Sequence, residues 1–238
     1  MNDPVTGRVW TEAQTAELRY WEERKRWCES VKGMLDYLVY LANGFAVTGS
    51  VMADIPAASC LEVGVGPFGI GSLVFHARPD AKIVGLEPLP RISIACSDAG
   101  LNTYVEGLSR RVQYVQVRGE HMPFDDRHFD VVACHNVIDH CADPRRVIGE
   151  IRRVLKPGGV LLLNLFTFSR MGRLKFESNR RLHPTLDLFV EHPWSYTPDS
   201  IAGLVSALGF AIERTPDLRT NWLGRSTLSK LVFRREPE

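Results

Sequence analysis

What this 238-residue chain has little of narrows its function first. It carries five cysteines, an odd number, and no Cys-x-x-Cys pair. Reduced thiols in a cytosolic setting are therefore expected, not a disulfide framework or a zinc knuckle. Its longest apolar stretches, such as 160–166, fall far short of the roughly 20 residues a membrane-spanning helix needs. Residues 1–8 show no basic-then-apolar leader pattern. No excess of either charge exists: 29 Lys and Arg against 28 Asp and Glu leave a net +1, so no global field draws the chain to nucleic acid or a membrane. No Tyr has a Lys four residues on, so a pairing common in dehydrogenases is missing. There is no internal repeat and no low-complexity tract.

What is present suits one soluble globular domain with a small extension: 45% hydrophobic and 24% charged residues. Thr11-Glu-Ala-Gln14 reads as a capping box opening a helix to about residue 30, with Leu18, Trp21 and Cys28 near one face and Glu22 to Arg26 solvated. A second helix follows at 31–45, and Gly44, Gly49 and Pro56 bracket an irregular link. The aromatics Trp10, Tyr20, Trp21 and Trp27 have two readings, helix packing or a lid over a ligand. From residue 58 strands and helices alternate. Strands are predicted at 58–63, 82–86, 112–117, 129–134 and 159–167, with helices at 69–77, 90–99, 101–108 and 144–154. That alternation implies a parallel sheet with helices on both faces. Lys156-Pro-Gly-Gly159 reads as a helix-to-strand turn. The segment 168–196, rich in Arg, His and Pro, reads as an insertion with a short helix at 170–180. Thr197 then caps a helix with Pro198 at its first position and Gly209 at its end. Closing strands are expected at 210–214 and 227–234, joined by a polar loop at 215–226.

The organising stretch is Cys60-Leu-Glu-Val-Gly-Val-Gly-Pro-Phe-Gly-Ile-Gly71. A buried strand ends in Glu62. Gly64, Gly66 and Gly69 permit a tight turn, and a helix N-terminus follows. The spacing is that of a dinucleotide fingerprint, and Glu87 follows at the distance of a ribose-binding acid. Its bland reading is a surface acid before Pro88. Two features favour an adenosine cofactor bearing an ammonium over a nicotinamide dinucleotide. Glu62 would repel a pyrophosphate, and Pro67 removes one backbone donor.

These residues carry a resemblance. Leu61-Glu-Val-Gly-Val-Gly-Pro-Phe-Gly69 resembles the first motif of class I S-adenosylmethionine-dependent methyltransferases. The likeness continues through Gly85-Leu-Glu-Pro88, Gly119-Glu-His-Met-Pro-Phe-Asp125, Phe129-Asp-Val-Val132, His135-Asn-Val-Ile-Asp-His140 and Glu150 to Gly159. It covers about 58–166 and is closest to the small-molecule branch, including members associated with surface-polysaccharide synthesis. It implies a Rossmann-like, seven-stranded, mostly parallel sheet with an antiparallel C-terminal strand and an N-terminal helical extension. It further implies S-adenosylmethionine as cofactor. Glu62, Gly64, Gly66 and Pro67 would lie at its methionine end, and Glu87 and Pro88 at its ribose. Gly119, Glu120 and His121 would lie at its adenine, with His135 and Asn136 facing the sulfonium. Arg118 stands where relatives often have an acid.

For the acceptor side, His140 after Asp139 falls at the carboxyl edge of the fourth strand, where open α/β sheets bind ligands. With His192 these are the candidate base residues; the bland reading is a polar cap or a bare loop histidine. His192-Pro-Trp-Ser-Tyr-Thr197 resembles a substrate-side segment, which makes Trp194 and Tyr196 candidate acceptor contacts. Arg170 and Arg173, within a basic run to Arg181, are either a solvated helix face or a site for an anionic acceptor such as a phosphate-bearing sugar. Cys134, His135, Asp139, His140 and Cys141 lack any standard metal-ligand spacing, so no metal is expected.

The expectation is a helical lid at 1–57 on a class I methyltransferase domain at 58–238. It would methylate an oxygen or nitrogen of a small molecule, a sugar-derived one on the polysaccharide likeness, with no nucleic-acid or membrane partner. The apolar N-terminal helices offer a surface for a homodimer. The rivals are a non-catalytic cofactor-binding module and an NAD(P)-dependent oxidoreductase.

Overall fold

The apolar runs become the strands β1 (Ser59–Val63), β2 (Lys82–Glu87), β3 (Val112–Gln116), β4 (Phe129–His135), β5 (Leu155–Thr167), β6 (Phe210–Arg214) and β7 (Thr227–Arg235). The computed structural model describes residues 7–44, 46–56, 59–214 and 227–237; the expected loop at 215–226 lies outside them. The strands form one sheet in the order β3-β2-β1-β4-β5-β7-β6. The pairs among β1 to β5 are parallel, and β7 runs antiparallel to both β5 and β6. Strand order reverses between β1 and β4, and a crevice opens at the carboxyl ends of such a pair.

The helices are α1 (Gly7–Cys28), α2 (Val31–Gly44), α3 (Ala46–Met52), α4 (Leu73–His76), α5 (Ala99–Arg110), α6 (Pro144–Val154), α7 (Arg170–Leu182), α8 (Asp187–Glu191) and α9 (Pro198–Ser206). They cover both faces of the sheet. β5 shows why its sequence is apolar almost throughout. Val160 and Leu162 join a core with Met34, Leu38, Leu73 and Val105 on one face. Leu161, Leu163 and Leu165 join Ile148, Ile151, Ile201 and Val205 on the other.

Several local expectations are corrected. Thr11 does not open a helix: it lies inside α1, where its carbonyl accepts the Thr15 hydroxyl at 2.8 Å. The link after α2 contains α3. The helix expected at 69–77 shrinks to α4, because Gly69 (φ +66°) still belongs to the turn and Pro79 follows closely. Ala99 already opens α5, and no helix forms at 90–98. There Ile92 N–H donates to the Pro67 carbonyl at 2.8 Å, and the Cys96 backbone pairs with the Asn102 side chain. Asp98 then caps α5 by accepting from Leu101 N–H at 2.7 Å. Lys156 to Gly159 is no separate turn. α6 stops at Val154, the chain turns extended at Leu155, and these residues fall within β5 at an irregular register. Thr197 and Ser200 do form a reciprocal capping box on α9, and Gly209 ends that region at φ +84°. No helix among the described residues is long and apolar enough to cross a membrane.

Candidate active site

The glycine turn has the backbone its spacing demands. Gly64, Gly66 and Gly69 sit at φ +71°, +75° and +66°, a region where a side chain is strained. Glu62, at the end of β1, is buried and accepts from Ser72 N–H at 2.8 Å, Leu73 N–H at 3.0 Å and the Ser72 hydroxyl at 3.2 Å. Burial still leaves its carboxyl raised, with those three donors pulling the other way. Gly71 is glycine for the same reason: a Cβ there would lie 2.2 Å from the Glu62 carboxylate. Glu87, at the end of β2, accepts from Gly66 N–H and Leu89 N–H, both at 3.1 Å. Burial, with Glu17 nearby, pushes its pKa up to about 7 against the pull of those N–H groups.

Two adjoining hollows flank this turn. The larger, about 500 Å³, is bordered by Glu62, Gly64, Gly71, His135, Asn136 and His192. The smaller, about 100 Å³, is bordered by Glu87, Pro88, Leu89, Gly119 and Glu120. Glu17, Trp21, Gly64, Gly66, Asn136 and His140 border both. The loop 118–126 that walls the smaller one is held by α6. Arg153 donates to the Phe124 and Met122 carbonyls at 2.7 and 2.9 Å, Glu150 accepts from Met122 N–H at 2.9 Å, and Arg146 donates to the Glu120 carbonyl at 3.0 Å. Glu120 itself is buried and accepts from Ala142 and Asp143 N–H.

α1 closes the turn from above. Trp21 meets Phe68 edge-on at 5.1 Å, and its ring would lie 2.9 Å from a Cβ at Gly66. One turn earlier on the same helix face, Glu17 reaches His140 Nδ1 at 2.7 Å. Asp139 is buried and sits 3.8 Å from His140 Nε2 and 3.2 Å from His192 Nδ1, and the two imidazoles meet edge-on at 4.2 Å. Burial would keep His140 neutral. Asp139, the Glu17 bond and Glu191 outweigh it and push its pKa up to about 9. Burial would raise Asp139, but His140 and His192 hold it below its ordinary value. His135 is the opposite case: burial, then His76 and Lys230, push it down to about 3, so it is a neutral wall. Asn136 holds a left-handed backbone (φ +57°), and its buried Oδ1 has no hydrogen-bond partner among the described residues.

A family model described as a methyltransferase domain matches residues 61–163, the strands and turns that make this site. Residues 61–163 thus carry a methyltransferase domain. An uncharacterized methyltransferase of Mycobacterium sp. (strain KMS) is 38% identical over 104 residues, 44% of this chain and 37% of that protein. A sterol 24-C-methyltransferase of Gibberella zeae is 44% identical over 123 residues, 51% of this chain and 29% of that one. The chain thus spans well under half the length of these curated relatives. The fold is that of the Burkholderia thailandensis 1,6-didemethyltoxoflavin-N1-methyltransferase solved with S-adenosylhomocysteine: TM-score 0.62 at 11% identity, over 100% of this chain and 94% of that one.

Within the domain, the residues expected at the site divide. Glu62, Gly64, Gly66, Glu87, Pro88, Gly119, Glu120, His135 and Asn136 border the hollows, as do His140 and His192, with Asp139 behind them. Pro67 and His121 border neither. Pro67 is buried under the turn, and His121 is exposed on the outside of its loop. The acceptor contacts expected at Trp194 and Tyr196 are also misplaced. Trp194 donates from Nε1 to the Cys141 carbonyl at 2.8 Å, and Tyr196 is buried in the core beneath. Arg170 is exposed away from the hollows, and Arg173 donates to the Ser195 hydroxyl at 3.3 Å, which makes it a brace within the insertion. Sequence reading missed Glu17 and took Arg24 for a solvated residue; both border the larger hollow. The available signal was an acid at position 17 sharing a helical face with Trp21, Arg24 and the buried Cys28. The structure also brings Asp139, His140 and His192 within 4.8 Å, a trio that spacing along the chain hid.

Proposed function

We propose that this protein transfers a methyl group from S-adenosylmethionine to an oxygen or nitrogen of a small molecule, with α1 as a lid and residues 168–196 as the far wall. The observation that carries the reading is the pair of buried acids, Glu62 and Glu87, ending adjacent strands on either side of a left-handed glycine turn above a hollow of about 500 Å³. That volume lies in the roughly 300–1,000 Å³ range of small-molecule sites. The residues present fit the cofactor. Asn136 offers an unused buried acceptor, Glu87 has two carboxylate oxygens beside the turn to receive ribose hydroxyls, and Gly119 and Glu120 border the compartment for a base. When bound, S-adenosylmethionine supplies a methyl on a cationic sulfur, which departs as neutral S-adenosylhomocysteine once the methyl passes to the acceptor.

The chain's own part is positioning and one proton. Ionised Asp139 holds His192 with Nδ1–H toward its carboxylate, leaving Nε2 as the acceptor of the proton that the nucleophilic O–H or N–H must lose. His140, kept charged by Glu17 and Asp139, ties the lid helix to that pair and is a positioning residue. Titration calorimetry with S-adenosylhomocysteine tests the reading. Tight binding is expected, weakened about 10- to 100-fold in Glu87→Gln. Affinity should rise with pH through about 7, as Glu87 ionises, and the variant should lose that slope. Folded protein that binds no S-adenosylhomocysteine would sink the proposal.

A further inference from the structure

The larger hollow has a mouth of unusual composition. Tyr20, Trp27, Tyr40 and Phe166 all border it, from α1, α2 and β5, yet each is 39–51% exposed. The remaining large aromatic exposed among the described residues, Tyr104, lies on α5. Aromatic surface left open to water and gathered at one cavity marks a ligand face. Among these rings stands Arg24. Its guanidinium lies 4.8 Å over Trp27 and 5.2 Å over Tyr20, and it donates to the Tyr20 hydroxyl at 2.6 Å. Among the described residues no acid pairs with it, and it is the one Arg or Lys that borders the hollow. Asp36, also at the wall, is engaged by Lys32.

Resting on the methyl-transfer reading above, we infer that the acceptor is a planar aromatic small molecule carrying one carboxylate. Its ring stacks among Tyr20, Trp27, Tyr40 and Phe166, its carboxylate pairs with Arg24, and its hydroxyl or amine faces His192. A guanidinium held against Trp27 and the Tyr20 hydroxyl is already oriented, so a carboxylate gains charge-assisted bonds at little ordering cost. A phosphate suits the site less well, because Glu62 and Glu191 border the same hollow and one guanidinium matches one negative charge. The transfer balances: the S–CH3 bond breaks, an O–CH3 or N–CH3 bond forms, and the acceptor's proton goes to His192.

The test uses the full chain with S-adenosylmethionine and four acceptor sets read by mass spectrometry: hydroxybenzoate- and aminobenzoate-type acids, the same rings without the carboxylate, hexoses and phosphorylated hexoses. Methylation of the aromatic acids is expected, with KM at least about tenfold below that of the neutral rings. Arg24→Gln should raise KM for the acids about 10- to 100-fold, raise it by a much smaller factor for the neutral rings, and leave S-adenosylhomocysteine affinity intact. Phe166→Ala, at an exposed position, should raise KM for both aromatic sets. Turnover of sugars alone, or equal use of acids and neutral rings, overturns the inference. So does a matching loss of S-adenosylhomocysteine affinity in Arg24→Gln, which would assign the guanidinium to the cofactor's own carboxylate. Failure of wild type to bind S-adenosylhomocysteine sinks the methyl-transfer reading instead, and the two failures are separable.

Discussion

The two sides of the site are built in different ways. On the β1–β2 side, carboxylates meet backbone: Glu62 holds Ser72 and Leu73 N–H, and Glu87 holds Gly66 and Leu89 N–H, every partner within 21 residues along the chain. On the β4 side, side chain meets side chain across the fold: Glu17 with His140, Asp139 with His192, His140 against His192. The first side depends on conformations that glycine alone adopts easily, and it offers a rigid, general cradle. The second depends on three separate elements arriving together. Helix α1, a strand end and the segment after α8 must all dock before Glu17, Asp139, His140 and His192 meet. A site that receives one common cofactor and a particular acceptor has reason to be divided this way, with the fixed half in the turn and the adjustable half in packed side chains.

Breaking the rigid half should have the largest effect. In Gly64→Val the new Cβ would lie 2.2 Å from Val137 at a backbone φ of +71°. The expected result is a stability loss of at least about 2 kcal/mol and no measurable S-adenosylhomocysteine binding, read by thermal melting and calorimetry. Binding that survives would mean the turn is not the cradle.

Next comes the acceptor half, which should separate from cofactor binding. His192→Ala is expected to lower kcat by about 10²–10⁴-fold while S-adenosylhomocysteine affinity holds. Asp139→Asn, which keeps the shape but loses the charge holding the tautomer, should fall in the same direction by a smaller factor. If both variants lose cofactor affinity instead, the division drawn here is wrong.

The smallest effect sharpens the comparison at the seam. Glu17→Gln removes the acid that α1 brings to His140, a pair whose side chains are 19% and 16% exposed. A stability loss of about 1–2 kcal/mol is expected near neutral pH. The sign follows from the raised pKa of His140. The wild-type advantage is full below its ordinary value of 6.5, provided Glu17 is ionised, and disappears as pH rises through about 9. Denaturant midpoints at pH 6.5 and pH 10 check this; a gap that widens with pH would refute the latch.

Much of the first half was legible in the residues. Glu62, the three glycines and Glu87 lie close along the chain, and their places at strand ends and turn follow from period, glycine and spacing. The near-continuous apolar run of β5 announced a strand buried on both faces. The misreadings have local causes. Thr11 carries the letters of a cap inside a helix whose start lies further back, and residues 90–98 look helical until Pro67 and Asn102 claim their backbone groups. Trp194 and Tyr196 were expected at the acceptor because their segment resembles a substrate-side one, but the core and the Cys141 carbonyl took them.

The sequence alone determined the sheet, its glycine turn and the two acids beside it, because each rests on backbone conformation and near neighbours. Only the tertiary structure decided which histidine Asp139 orients, that Glu17 reaches across to His140, and that Arg24 stands among exposed rings at the mouth. Those relations join residues 53 positions apart, as with Asp139 and His192, or far more, as with Glu17 and His140, or set α1 beside α2 and β5, and nothing in a local pattern encodes which packed faces will meet.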